Sequence, residues 1–284
     1  MTGMTGWALR LRQPPTLRLS LRGVTPNALA VLNAAQIAAL RLGHGNSLQP
    51  LGEFFDVSPG PDNSLLLEGD LSRCDQVGWQ LDGGWLTVRG PVGHQAGGAM
   101  QAGTLSIHGN AGDLAACEMA GGQFTIHGNV GDFAAASLPG SLDGMRGGVL
   151  RVRGNAGARF ADRMRRGTAL VFGDAADFLA SRLVAGTVAV AGRVGAHVGY
   201  GMRRGSLVLL QSPAMPATFV PAGADTPVLW QLLSRDLARL GDSGAVGGST
   251  KPKSNPFASL PQCRIQRHLG DLVADGKGEI MLPR

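Results

Sequence analysis

The sequence predicts a mainly β fold, a right-handed parallel β-helix of about seven coils, and three observations predict it. A glycine recurs at Gly90, Gly109, Gly128, Gly154, Gly173 and Gly192, at intervals of 19 residues broken by a single interval of 26. Two further combs keep the same step: Met100, Met119, Met145, Met164, Leu183, Met202, and Gly103, Gly122, Gly148, Gly167, Gly186, Gly205. Ahead of the first comb lie short alternating runs such as Leu86-Thr87-Val88-Arg89 and Leu150-Arg151-Val152-Arg153. A fixed period marks a solenoid, whose units bury their apolar faces only against one another, and period-two alternation marks strands. Turn residues are too dense to leave a helix inside any unit. The left-handed hexapeptide alternative needs an aliphatic residue at every sixth position, and none recurs.

Each element follows in chain order. Residues 1–64 read as a small α/β cap: Leu9/Leu11 and Leu17/Leu19/Leu21 alternate, and Thr25-Pro26 opens a helical stretch in two pieces towards Leu42-Gly43, with proline at the first helical position. Residues 65–210 are the repeat. Its inward columns are Leu86/Leu105/Phe124/Leu150/Ala169/Val188/Leu207 and Val88/Ile107/Ile126/Val152/Val171/Val190/Leu209, completed by the small column Val92/Ala111/Val130/Ala156/Ala175/Val194 and the methionine comb. The corners are the structural turns Gly109-Asn110, Gly128-Asn129 and Gly154-Asn155, expected to use positive φ, with the asparagine amides stacked in a ladder. An insertion of seven residues near Ala134–Leu142 accounts for the long interval. Residues 211–284 comprise a helix from Thr226-Pro227 through Val228–Leu240 with Gly241 as its stop, a Gly/Ser/Pro/Lys-rich loop over Gly241–Phe257, and a stretch over Leu260–Leu282 with little usable periodicity.

The outward columns change character along the stack. Early coils carry Thr87/Ser106/Thr125/Arg151 and Arg89/His108/His127/Arg153, whereas later coils carry Leu170, Ala189, Val208 and Phe172, Ala191, Leu210. An apolar stripe of that length requires a cover. Leu229, Leu232, Leu233, Leu237 and Leu240 of the C-terminal helix supply one, and a partner subunit is the alternative.

Composition narrows the function classes. The chain has 284 residues, a formal charge of +6, 44 glycines and 16% charged residues. No run of 18 apolar residues suggests a membrane span, and no signal-peptide pattern opens the chain, so a cytoplasmic location is expected. Three separated cysteines with no CxxC argue against zinc, Fe–S or disulfide frameworks. The arginine-borne charge could serve nucleic acid, but one tyrosine and no lysine run favour protein interfaces, where arginine is enriched. His108 and His127 should stack in adjacent coils, yet two imidazoles flanked by Arg89 and Arg153 make a poor metal site. Neither a nucleophile–base constellation nor a carboxylate pair stands out, so no catalytic, cofactor-binding or metal-ligating residue is assigned. Arg151, Arg153, Arg165, Arg166, Arg203 and Arg204 are the candidate partner interface, because Arg146, Arg165 and Arg203 fall on one edge behind the methionine comb.

The pattern of two alternating apolar residues, then G-N-x-G, then Met or Leu, then G-G resembles two related groups. One is the C-terminal (GXGXG) domain of the glutamate synthase α-subunit; the other is the C-subunit family of formylmethanofuran dehydrogenase. The segments Leu51-Gly52-Glu53-Phe54-Phe55-Val57 and Arg267-His268-Leu269-Gly270-Asp271…Gly276-Lys277-Gly278-Glu279-Ile280 resemble the second group more specifically. The resemblance implies a non-catalytic member of a one-carbon complex. The bacterial version moves a formyl group from tetrahydromethanopterin to a methanofuran-type carrier and hydrolyses it to formate, on formyltransferase and zinc amidohydrolase-like subunits. A molybdenum or tungsten formylmethanofuran dehydrogenase with a pterin-enzyme-like subunit, a glutamate synthase-type domain, and a stand-alone β-helix enzyme are the alternatives. Coil six departs from the pattern at Ala176 and Leu183, and coil seven at Gly192-Arg193.

Overall fold

The computed structural model describes residues 6–223, 227–242 and 254–284. Its strands run in chain order β1 (Gly6–Leu11), β2 (Leu19–Ser20), β3 (Arg41–His44), β4 (Ser47–Pro50), β5 (Phe55–Gly60), β6 (Ser64–Glu68), β7 (Cys74–Asp75) and β8 (Asp82–Arg89). They continue with β9 (Ala102–Ile107), β10 (Gln123–Ile126), β11 (Val149–Val152), β12 (Thr168–Val171), β13 (Thr187–Val190), β14 (Ser206–Leu209), β15 (Val220–Ala222), β16 (Ile265–Gly270) and β17 (Gly278–Pro283). The α-helices are α1 (Pro26–Ala30), α2 (Ala34–Ala38) and α3 (Pro227–Asp242). The fold is mainly β and dominated by a 13-stranded sheet in the order β15-β16-β17-β14-β13-β12-β11-β10-β9-β8-β6-β1-β5.

Within that sheet β1, β6, β8 to β14 and β17 all pair in parallel. From β8 to β14 the register aligns Leu86 with Leu105, Phe124, Leu150, Ala169, Val188 and Leu207, the expected inward column. Consecutive strands in one parallel sheet must be joined by a full circuit of chain. The circuit's second contact line is the small column, bridged in parallel from Val92 to Val194. The ladder extends beyond the repeat at both ends: Leu65 and Leu67 of β6 pair with Leu86 and Val88, Trp7 and Leu9 of β1 pair with Leu65 and Leu67, and Ile280 of β17 pairs with Leu207. One apolar core therefore runs from Trp7 to Leu282 through all three segments inferred from the sequence.

The corners differ from expectation in mechanism. Gly109, Gly128 and Gly154 do not have positive φ. They are glycine because successive coils approach too closely for a side chain: a Cβ on Gly128 would lie 2.3 Å from Asn110 Oδ1 and 2.7 Å from the Gly109 carbonyl carbon. Positive φ is concentrated instead on the third side of each coil, where Gln95, Leu114, Phe133, Arg159, Phe178 and His197 share one column with φ between 57° and 60°. This conformation costs a non-glycine residue about 1–2 kcal/mol. Hydrogen bonds to both neighbouring coils offset it: Leu114 N–H donates to the Asp132 carbonyl on one side (2.8 Å), and Ala116 N–H to the Ala96 carbonyl on the other (2.8 Å). The insertion lies between Ala135 and Met145, which still close the turn with a 2.9 Å bond from Met145 N–H to the Ala135 carbonyl.

Helix α3 covers the apolar outer stripe as anticipated, but in a different rotation. Trp230, Leu237 and Leu240 pack with Leu233 on Leu170, Ala189 and Val208, together with Phe257, Leu260 and Met281. Leu229 and Leu232, expected on that face, are 47% and 63% exposed. The indole of Trp230 sets the rotation, since its Nε1–H donates to the Cys263 carbonyl at 2.8 Å. Gly241 does not stop α3, which continues to Asp242. Thr226 and residues 243–253 of the expected loop lie outside the described residues. The aperiodic final stretch holds the antiparallel pair β16–β17, which joins the main sheet through β14.

Candidate functional site: an arginine-lined groove

The edge behind the methionine comb is built by backbone register. Arg146 N–H donates to the Met119 carbonyl (2.6 Å), Arg165 N–H to Met145 (2.8 Å), Val184 N–H to Met164 (2.9 Å) and Arg203 N–H to Leu183 (2.8 Å). Equal bonds at equal positions place these four residues in one row, a coil apart, at about 4.8 Å per step. Arg166, Ala185 and Arg204 form the adjoining row. Together they line a groove of about 610 Å³, in which the uncharged Val184 and Ala185 occupy the coil step between Arg165-Arg166 and Arg203-Arg204, with Arg146 at one end. Asp143, from the insertion, ion-pairs with Arg165 at 3.1 Å, and Arg146 reaches the Glu118 carbonyl at 3.5 Å.

The structure thus brings together four of the six arginines singled out from the sequence, and adds Arg146. Arg151 and Arg153 lie elsewhere, under the end of α3. Arg151 is 1% exposed, its Nε donating to the Leu240 carbonyl at 2.6 Å and its Nη1 to Gln123 Oε1 at 3.3 Å. Burial pulls its pKa down to about 10, with Arg153 and Arg239 adding repulsion. The expectation that Arg151 contacts a partner is corrected by this burial: the side chain is consumed in seating α3. Arg153 is half-buried, stacked at 4.1 Å over the Phe172 ring, and burial lowers its pKa against an opposing contribution from Asp242.

The remaining candidates act structurally. Asn110 Oδ1 accepts from Asn129 N–H, Asn129 Oδ1 from Asn155 N–H, and Asn155 Oδ1 from Asp174 N–H, at 2.8, 2.8 and 2.9 Å. The ladder therefore runs side chain to backbone, coil to coil, rather than amide to amide. His108 and His127 stack with centroids 4.4 Å apart and planes 8° from parallel, both ring Nε2 atoms near Ser106 Oγ. Burial, then His108 and Arg153, push His127 down to about 4, and burial with Arg89 lowers His108. Both rings are neutral at pH 7, and the flanking arginines oppose a cation. Among the described residues no group of three or more His, Cys, Asp and Glu could hold a metal ion, and no helix is long and apolar enough to cross a membrane. One inter-coil staple escaped sequence reading: buried Asp162 accepts from Ser181 Oγ and is held by Arg182 at 2.5 Å. Only the 19-residue offset of Asp162 and Ser181 hinted at it.

Comparison with known proteins gives the arrangement a family. The GXGXG motif model matches residues 72–219. The chain is 38% identical over 87 residues to the C subunit of the formyltransferase/hydrolase complex Fhc of Methylorubrum extorquens, an alignment covering 31% of this chain and 33% of that protein. It is 30% identical over 91 residues to the C subunit of the tungsten-containing formylmethanofuran dehydrogenase 2 of Methanothermobacter wolfeii, covering 30% of this chain and 34% of that protein. These sequence alignments span about a third of the curated relatives' length. The structural match is nearly end to end: a chain from the crystal structure of the formyltransferase/hydrolase complex FhcABCD of Methylorubrum extorquens, in complex with methylofuran, superimposes with a TM-score of 0.88. That match has 37% identity and covers 98% of this chain and 99% of the other. Repeat, register and full-length likeness agree, and the chain belongs to the GXGXG family, among the C subunits of formyltransferase/hydrolase and formylmethanofuran dehydrogenase complexes.

Proposed function

We propose that this chain is the non-catalytic C subunit of a formyltransferase/hydrolase complex acting in tetrahydromethanopterin-linked oxidation of formaldehyde to formate in the cytoplasm. The observation that carries the reading is the likeness over 98% of this chain and 99% of its structural relative, at 37% identity, because a GXGXG chain matched to that extent includes both flanks as well as the repeat. In this reading the winding is a right-handed parallel β-helix, the hand that parallel crossovers take. Residues 1–64 cap it, residues 65–210 form the stack, and residues 211–284 cover its late coils. Formyl transfer and hydrolysis belong to formyltransferase and amidohydrolase-like subunits, with a methanofuran-type carrier and zinc held there, and the assembly is completed by a pterin-enzyme-like subunit. This chain contributes a rigid surface, with Arg153, Arg165, Arg166, Arg203 and Arg204 as contacts.

The experiment is purification of the tagged protein from its native host, with co-eluting chains identified by mass spectrometry. A formyltransferase and an amidohydrolase in fixed ratio are expected. A pterin-enzyme-like subunit that carries bound molybdenum or tungsten would move the assignment to a formylmethanofuran dehydrogenase, and a solitary chain with turnover of its own would overturn the scaffold role.

A further inference from the structure

We infer that the arginine groove is the seat of an extended acidic segment from a partner subunit, a reading that rests on the chain's place in a complex. Charge is the first argument. Several arginines elsewhere are neutralised by a carboxylate within the fold: Arg12 by Asp56, Arg18 by Asp75, Arg89 by Glu68, Arg182 by Asp162 and Arg267 by Glu279. In the groove only Arg165 has an acidic partner, and Arg166, Arg203 and Arg204 have none among the described residues. All four are exposed. Lys277 extends the basic edge, since its N–H donates to the Arg203 carbonyl at 2.7 Å and places it one coil further along. The same edge in the early coils is neutral, at Gln101-Ala102 and Ala120-Gly121.

Residue type and spacing specify the occupant. Arginine forks match carboxylates in bidentate geometry, and five of them across a gap of two small apolar residues leave a slot rather than a flat patch. From Arg146 to Arg203 is three coil steps, about 14 Å. An extended segment carries side chains on one face about 6.7 Å apart, so acids at three alternate positions span about 13 Å. Such a segment, laid parallel to the stack axis, presents its carboxylates to the arginines and its backbone to Val184 and Ala185. Nowhere in this chain do three acidic residues stand at alternate positions, so the segment comes from another polypeptide.

The test places the photo-crosslinker p-benzoylphenylalanine at Val184 in the assembled complex and maps the products by mass spectrometry. Crosslinks to a partner segment with at least three acids at alternate positions are expected. Crosslinks to a partner segment without that pattern, crosslinks to a small carrier molecule, or an intact complex with no crosslink at this position would each overturn the proposal while leaving the assignment to the complex standing. Absence of any partner would instead sink that assignment, and binding to the full chain then decides the groove. There a synthetic peptide alternating Glu and Ser should bind and lose at least about tenfold in affinity in R203E/R204E. Equal affinity in the two forms, with unchanged thermal melts, would overturn it.

Discussion

The early and late coils share one backbone and differ in what their outer face meets. Thr87 and Ser106 in β8 and β9 hold the same register position as Leu170, Ala189 and Val208 in β12 to β14. The first pair looks out from an open sheet, and the second set is sealed under α3 with no exposure at all. Arg151 sits at the boundary. The repeat dictates the inside of the stack alone, while its outside is assigned coil by coil.

Aspartate placed at equivalent positions separates the sealed face from the open one by the largest margin. Leu170→Asp buries an unpaired carboxylate between sheet and helix and should cost about 4 kcal/mol or more, through desolvation without compensation. Thr87→Asp, at the same register position in β8, remains hydrated and should stay within about 0.5 kcal/mol of the parent. Urea unfolding of the two variants decides the point. Equal losses would mean that α3 contributes no cover.

The boundary residue gives the next effect. Arg151→Ala leaves the Leu240 carbonyl without its donor and a void beneath α3, at about 3 kcal/mol. Arg151→Met keeps most of the volume and removes a buried cation that has no carboxylate partner, so it should recover about half of that loss. If methionine proved as damaging as alanine, the hydrogen bond to Leu240, not the packing, would be the anchor of the helix.

The corners separate geometry from conformation. Gly128→Ala drives a Cβ into Asn110 and the Gly109 backbone, and should cost about 2 kcal/mol through displacement of a coil. Gly140, in the insertion, has nothing within 4 Å of a built Cβ and a φ of +85°. Its alanine variant meets only the left-handed penalty, about 1 kcal/mol. A ranking in the opposite order, read by thermal denaturation, would remove close coil approach as the reason for glycine at the corners.

Much of this was legible in the chain. The columns, the insertion and the apolar stripe follow from period alone, since a stacked coil must repeat its inward residues. The arginine edge was legible as a comb too, because Arg146, Arg165 and Arg203 keep the step of the methionines. Three features were not. The left-handed column holds Leu114, Phe133 and Arg159, residues with no preference for that conformation, because inter-coil hydrogen bonds impose it. Strand β17 pairs with β14 some seventy residues upstream, and no local pattern announces such a partner. The burial of Arg151 was invisible because arginine in an outward column reads as a solvated residue until the helix that lands on it is in place.

The smallest effect tests the open face through pH. His127 is held down at about 4 by burial first, then by His108 and Arg153, against an ordinary value near 6.5 in the unfolded chain. Above pH 6.5 the ring is neutral in both states and contributes no pH dependence. As pH falls from 6.5 towards 4 the unfolded chain takes up the proton first, so stability is lost over that window and is regained as pH rises. The half-open setting of the pair is screened by solvent, which limits the loss to about 1 kcal/mol. His127→Gln preserves a polar planar side chain beside His108 and removes the titration. Urea midpoints at pH 7 and pH 5 should therefore differ less in the variant than in the parent. Equal differences would place the acid sensitivity of the stack on groups other than His127.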